Sequence, residues 1–290
     1  MDKFELNNVD ATFDGYQKLI DLYQYYKSKA FTQMELNIKK WLGANLCSAL
    51  GGILDKLADE NYNVVSSIDA SPDTKKIIQK NGFLSHFGYD DLYDKNHTTV
   101  KYLKLKPTDG KYFKNYVVDD LLNHPELANI TPELKRKIVE SIYEMFVNAQ
   151  IHSHSSDIYA CGQFYPQKKK IEFTITDTGI GFRANANKKF NVNLTSEQAI
   201  KWAIGQGHTT KTGTSGGIGL ALLKEFITKN KSKLQIISND GFYEYSGEKN
   251  TEYTKKFINY FPGTIINMQF RTDDKSAYYS DITQSMENIF

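Results

Sequence analysis

The chain has little that would staple it, anchor it or overcharge it. Only two of its 290 residues are cysteine, Cys47 and Cys161. They stand far apart without C-x-x-C spacing, which argues against a disulfide framework or a zinc knuckle and leaves reduced thiols in a cytoplasmic protein as the expectation. No uninterrupted apolar run approaches the roughly 20 residues that span a bilayer, and residues 1–10 lack the basic-then-apolar plan of a signal peptide. A membrane partner is therefore not expected. Nor is a nucleic-acid partner indicated, since the formal net charge is only +2. The densest basic run, Lys168-Lys169-Lys170, follows Pro166-Gln167 and reads as a solvated turn rather than a phosphate patch.

What remains is an ordinary globular composition, 40% hydrophobic and 24% charged. At roughly 150 residues per domain, the length predicts two domains. Residues 34–85 alternate as strand, helix, strand, helix: residues 34–38 alternate apolar and polar, Leu46, Leu50, Ile53, Leu54 and Leu57 recur at helical spacing, Asn63-Val64-Val65 opens a strand, and residues 73–79 form a short amphipathic helix. This order predicts a small α/β layer, and a strand-like stretch follows at 98–105. Residues 111–129 are polar and aromatic and include Pro125, which places a boundary near residue 120.

A helix then opens with Thr131 as N-cap and Pro132 at the first helical position, where its missing N–H costs nothing. Ile138, Ile142, Met145, Phe146 and Ala149 mark its apolar face. Residues 157–165 and 171–177 read as a hairpin, with Ile171, Phe173 and Ile175 on one face and Glu172, Thr174 and Thr176 on the other. Further on, residues 196–204 and 217–228 read as helices, and 234–238 and 264–271 as strands.

Three constellations carry candidate chemistry. Glu140, Glu144, Asn148 and His152 stand four apart and form one stripe along the helix. Glu140 reads as a solvated edge, whereas Glu144 and Asn148 interleave with Met145, Phe146, Val147 and Ala149, a crowded setting for groups that would otherwise face water. Asp177-Thr178-Gly179-Ile180-Gly181 ends the alternating strand. Its glycines permit a sharp turn and the close approach of a flat ligand, beside a carboxylate able to accept from an exocyclic amine. Finally, Gly213-Thr214-Ser215-Gly216-Gly217-Ile218-Gly219-Leu220 runs into an apolar helix, where exposed backbone N–H groups would suit phosphate oxygens. Its spacing is that of neither a P-loop nor a Rossmann fingerprint.

In order, Glu144-x-x-x-Asn148-Ala149, Asp177-x-Gly179-x-Gly181, Gly217-x-Gly219-Leu220 and Gly263-Thr264 resemble the N box, the two glycine boxes and the closing Gly-Thr of the GHKL superfamily of Bergerat-fold ATP-binding domains. That resemblance covers about 150 residues and implies helices over a mixed sheet. It implies ATP and Mg²⁺ as cofactors, with Asn148 holding the metal and Asp177 accepting the adenine amino group. Gly179 and Gly181 would line the base, Gly216, Gly217, Gly219 and Leu220 would shape the phosphate cradle, and Thr264 would support the adenine. Glu144 matches the general base of the superfamily's ATPases and of anti-sigma-factor serine kinases. Residues 182–215 would form an ATP lid, in which Thr210 would line the nucleotide and Lys211 would offset charge on the terminal phosphate. His152 and His154 form an H-x-H pair with no third metal ligand nearby, and read as exposed or phosphate-proximal.

The first half resembles a STAS domain, which implies recognition of a protein partner. The expected organisation is thus α/β with two domains: a STAS-like layer over residues 1–120, a GHKL domain over 121–275 and a tail over 276–290. A Mg²⁺-dependent ATPase switch, an anti-sigma-type serine kinase and a non-catalytic nucleotide-binding module are the functions in play. A homodimer remains open. A sensor histidine kinase is disfavoured, because residues 86–130 supply no long heptad-patterned helices before the ATP domain.

Overall fold

The computed structural model describes residues 2–127, 130–153, 155–205 and 219–274. Two sheets organise them. Strands β1 (Asp2–Leu6), β2 (Gln33–Ile38) and β3 (Val64–Ala70) form a parallel sheet in the order β1-β2-β3. Parallel neighbours need crossovers, supplied here by α1 (Phe13–Tyr26) and α2 (Cys47–Asn61). The Thr12 side chain caps α1 by accepting from the Gly15 N–H at 3.2 Å. Helix α3 (Pro72–Lys80) follows β3 with proline in its first turn. The strand–helix–strand–helix order expected over residues 34–85 is present, with limits displaced by a few residues.

The second sheet has seven strands: β4 (Thr99–Leu105), β5 (Ile158–Tyr165), β6 (Lys170–Asp177), β7 (Lys233–Ser238), β8 (Gly241–Ser246), β9 (Thr251–Lys256) and β10 (Thr264–Arg271). Their order is β4-β5-β6-β10-β7-β8-β9. Every pairing is antiparallel, so the mixed sheet expected from the sequence is corrected. The reason is topological. β6 and β7 run the same way, as a helical crossover requires, but β10 enters between them and pairs antiparallel to both. The boundary expected near residue 120 falls in the helical run formed by α4 (Gly110–Tyr116) and the turns of Val117–Leu122. β4, earlier in the chain, is already an edge strand of the larger sheet.

Both faces of that sheet are covered. On one, Ile171, Phe173, Ile175, Leu234, Ile236, Ile266 and Met268 pack against α5 (Pro132–His152) and α8 (Gly219–Lys229) through Met145, Phe146, Leu223 and Phe226. Burying each such side chain contributes about 1.5–3 kcal/mol. Thr131 caps α5 by accepting from the Leu134 N–H at 3.3 Å, as the sequence predicts. On the same face, α7 (Ser196–Ile204), opened by a Thr195–Gln198 capping box, adds Ile200 and Ile204 to this core, and α6 (Gly181–Phe190) packs against α7. Among the described residues, no helix is long and apolar enough to cross a membrane.

The opposite face receives the N-terminal layer. Tyr159, Cys161, Ile237, Phe242 and Ile265 join the core built by α1 and α2. Glu172, Thr174 and Thr176, the polar side of the hairpin pattern, are 5%, 0% and 0% exposed beneath it. Glu172 accepts from Lys170 on its own strand, whereas the threonines are satisfied by distant parts of the chain. Thr174 Oγ1 donates to Asn267 Oδ1 at 2.7 Å, Asn45 Nδ2 donates to the same oxygen at 3.2 Å, and Asn267 Nδ2 donates to Gln235 Oε1 at 3.0 Å. Tyr16 on α1 donates to Gln235 Oε1 at 2.9 Å, and Ala44 N donates to Gln163 Oε1 at 2.7 Å. Buried amides left unpaired would each cost about 1–3 kcal/mol, so this layer fixes one register between the two halves. Cys47 and Cys161 are free and buried in the same region. Burial pushes the Cys161 thiol up to about 12, which keeps it protonated and unreactive.

Candidate functional site

Strand alternation fixes which way the candidate acid points. Asp177 shares parity with Ile171, Phe173 and Ile175, so its side chain faces the α5/α8 layer rather than the N-terminal one. Thr264 pairs directly with Asp177 on one side and with Ser238 on the other. Three polar residues thus stand abreast at one end of three adjacent strands, all on the face covered by α5 and α8. Thr264 Oγ1 and Ser238 Oγ are 3.2 Å apart, and Ser238 Oγ accepts from the Phe182 N–H at 2.9 Å.

Asp177 is 8% exposed. Its Oδ1 accepts from the Gly179 N–H at 2.9 Å, and no described residue donates to Oδ2. Burial pushes the carboxyl up to about 7, against the smaller pull of the Gly179 N–H and the Lys56 ammonium. A nearly buried carboxyl group with one oxygen unclaimed is suited to accept from a ligand's N–H.

The glycines of this turn are dictated by neighbours. A Cβ on Gly179 would sit 1.9 Å from the Ser153 carbonyl oxygen at the end of α5, an oxygen that also accepts from the Ile180 N–H at 2.9 Å. Gly181 has φ +76°, and a Cβ there would meet Asn239 Oδ1 at 2.5 Å and Ser238 Oγ at 2.7 Å. The turn is therefore clamped between the C-terminal end of α5 and the end of β7.

Two further helices aim at the same end of the sheet. α5 starts beside Arg271, where Ile130 shares a small cavity with Phe226 and Asn230, and it ends at Gly179. α8 packs along α5 but runs the other way, because Asn230, just past its last turn, accepts from the Arg271 N–H at 2.7 Å. The N-terminus of α8, Gly219 and Leu220, therefore points toward the Asp177 end. At 1.5 Å per residue it stops roughly level with the part of α5 that carries Glu144. Its partial positive charge suits an anion lying along α5. Glu144 and Asn148 are half-buried on α5, whereas Glu140 is exposed and pairs with Arg136 at 2.8 Å, as its solvated-edge reading expects.

The structure thus gathers Asp177, Gly179, Gly181 and Thr264 into one turn-and-strand-end cluster and directs Gly219 and Leu220 toward it. Thr210, Lys211, Gly216, Gly217 and His154 lie outside the described residues, as does the His152 side chain. The fit of an adenine nucleotide rests on the Asp177 oxygen that no described residue claims and on a turn whose glycines leave no Cβ between it and its neighbours. Asn148, a neutral oxygen donor on a half-buried helix face, suits a hard divalent cation.

Sequence reasoning missed Ser238, which joins Thr264 to the backbone after Gly181, and Lys56 on α2, whose Nζ donates to the Thr178 carbonyl at 3.0 Å. A serine closing an apolar strand and a lysine on an amphipathic helix carry no local signal of such a role. No family model matches this chain, and no curated protein matches it significantly.

Proposed function

We propose that this protein binds Mg²⁺-ATP in a Bergerat-type pocket on the helix-covered face of its seven-stranded sheet, and hydrolyses it as a nucleotide-controlled switch. The observation that carries the reading is Asp177, a nearly buried carboxyl group with one oxygen that no described residue claims. It stands abreast of Thr264 and beside the Gly179–Gly181 turn, at the sheet end toward which α8 points its N-terminus. Asp177 would accept the adenine amino group, with Thr264 and Ser238 alongside. Asn148 would hold Mg²⁺, which would neutralise phosphate charge when bound. Glu144 would take a proton from an attacking water, a contribution typically worth 10²–10⁴-fold. Lys211 and Thr210 belong to the proposed lid.

The N-terminal layer supports the switch reading over simple storage of a nucleotide. It is bound to the back of the same sheet through buried hydrogen bonds, and Lys56 reaches the glycine turn itself. We read it as a STAS-like partner-recognition layer whose docking surface answers to the nucleotide. A serine kinase of the anti-sigma-factor type would use the same pocket and the same Glu144. Incubation with γ-labelled ATP separates the two: release of free phosphate supports the ATPase, label on a protein the kinase, and tight binding without either a non-catalytic module.

A further inference from the structure

A second cavity, about 410 Å³, opens on the outer side of the Gly179–Gly181 turn. That is within the range of small-molecule sites, and its position between two layers of the chain is one such sites favour. Its walls come from four places: Gln24 and Lys27 at the end of α1, Ile180, Arg183 and Asn187 on the turn and α6, Asn239 and Asp240 after β7, and Tyr260 in the segment before β10.

The charges are unbalanced. Asp240 already pairs with Lys256 at 3.1 Å and accepts from the Ser196 hydroxyl. Lys27 and Arg183 have no carboxylate partner among the described residues; Lys27 lies 4.6 Å from the centroid of the Tyr260 ring. Asn239 Nδ2 donates to the Ile180 carbonyl at 3.3 Å and so ties this wall to the glycine turn, while its Oδ1 is buried against Gly181, out of reach of a guest. Two cations with no carboxylate partner among the described residues and an exposed aromatic rim around one cavity favour an anionic guest.

We propose that this cavity binds a small phosphorylated or carboxylated metabolite, with the anion between Lys27 and Arg183 and the body against Tyr260. This site is separate from the nucleotide pocket, with which it shares only the wall formed by the glycine turn. It does not depend on nucleotide binding. Because Asn239 both lines the cavity and holds the Ile180 carbonyl, an occupant would brace that turn.

The test uses the full chain, ¹⁵N-labelled, titrated with glycerol 3-phosphate, inorganic phosphate, glycerate and glycerol while the side-chain amides of Asn187, Asn239 and Gln24 are followed. Glycerol 3-phosphate is expected to shift all three saturably, inorganic phosphate more weakly, and glycerol not at all. Glycerate shifting them more strongly than glycerol 3-phosphate would assign the site to carboxylates. Lys27→Gln with Arg183→Gln, two accessible side chains with no ion pair to lose among the described residues, is expected to weaken binding at least about tenfold. No shift with any anion, or equal binding by the double variant, would overturn the proposal.

Discussion

Lys56 Nζ donates a 3.0 Å hydrogen bond to the carbonyl oxygen of Thr178. The first residue belongs to the N-terminal layer and the second to the turn that carries Asp177, Gly179 and Gly181. Lys56 also pairs with Glu60 at 3.0 Å, one turn along α2, so its position is held from its own helix. The contact gives the N-terminal layer a direct hold on the candidate nucleotide site.

Lys56→Met keeps the aliphatic stem and removes the donor. Because the side chain is 25% exposed, stability should change by less than about 1 kcal/mol, whereas the affinity for Mg²⁺-ATP should fall several-fold. Thermal melts and calorimetric titration of the same preparation check both; an unchanged affinity would deny the coupling.

Gly179→Ala places a methyl group 1.9 Å from the Ser153 carbonyl oxygen. Either α5 or the turn must move, at a cost of about 2 kcal/mol or more. Urea unfolding should show that loss, with nucleotide affinity falling in parallel. A variant as stable as the parent would mean that the turn is not clamped.

The raised pKa of Asp177 makes a signed prediction. In the unfolded chain an aspartate titrates near 3.9, while in the folded protein this one titrates at about 7. Across that window the folded state holds a proton that the unfolded state has released, so stability falls as pH rises and levels off above the folded value. Asp177→Asn lacks the term. Its stability relative to the parent should therefore grow between about pH 4 and 7, by at most on the order of 4 kcal/mol. Denaturant titrations at several pH values measure the difference, and a pH-independent gap would contradict the burial of that carboxyl.

Asn267 is 2% exposed and bonds Thr174, Asn45 and Gln235 at once. Asn267→Ala removes three buried hydrogen bonds, although Gln235 keeps Tyr16 and Asn45 keeps Thr174, and should cost about 2–3 kcal/mol. Both halves should still unfold in one transition, since their apolar contacts remain. Two separated transitions would instead make this network the main tie between them.

Much of this fold could be read from local sequence. The alternation of Ile171 to Asp177, the Thr131-Pro132 cap of α5 and the helical spacing after Leu46 each act over a few residues, and each appears in place. The polar face of the hairpin was legible only as a face. Nothing near Thr174 or Thr176 reveals that Asn45 and Ser48, more than a hundred residues earlier, will cover them. Sheet membership was lost for the same reason: the strand pattern of β4 is local, but its pairing with β5 is not. The exposed hairpin strand β9, rich in Thr, Tyr and Lys, has too little apolar periodicity to announce itself. Within the candidate site, the residue types suited to chemistry were legible, while the neighbours that hold them, Ser238 and Lys56, were not.

Glu144→Gln should separate binding from turnover. Phosphate release should drop by about 10²-fold or more, with Mg²⁺-ATP affinity kept within a few-fold. Equal release by parent and variant would remove Glu144 from the chemistry and leave the pocket reading intact.

Isothermal titration of the full chain with ATP, in the presence and absence of Mg²⁺, tests the central claim most directly when parent and Asp177→Ala are compared. The account predicts one magnesium-dependent site per chain, weakened at least about tenfold by the substitution, as loss of a hydrogen bond to a carboxylate implies. No heat from the parent, or the same isotherm from both proteins, would contradict it.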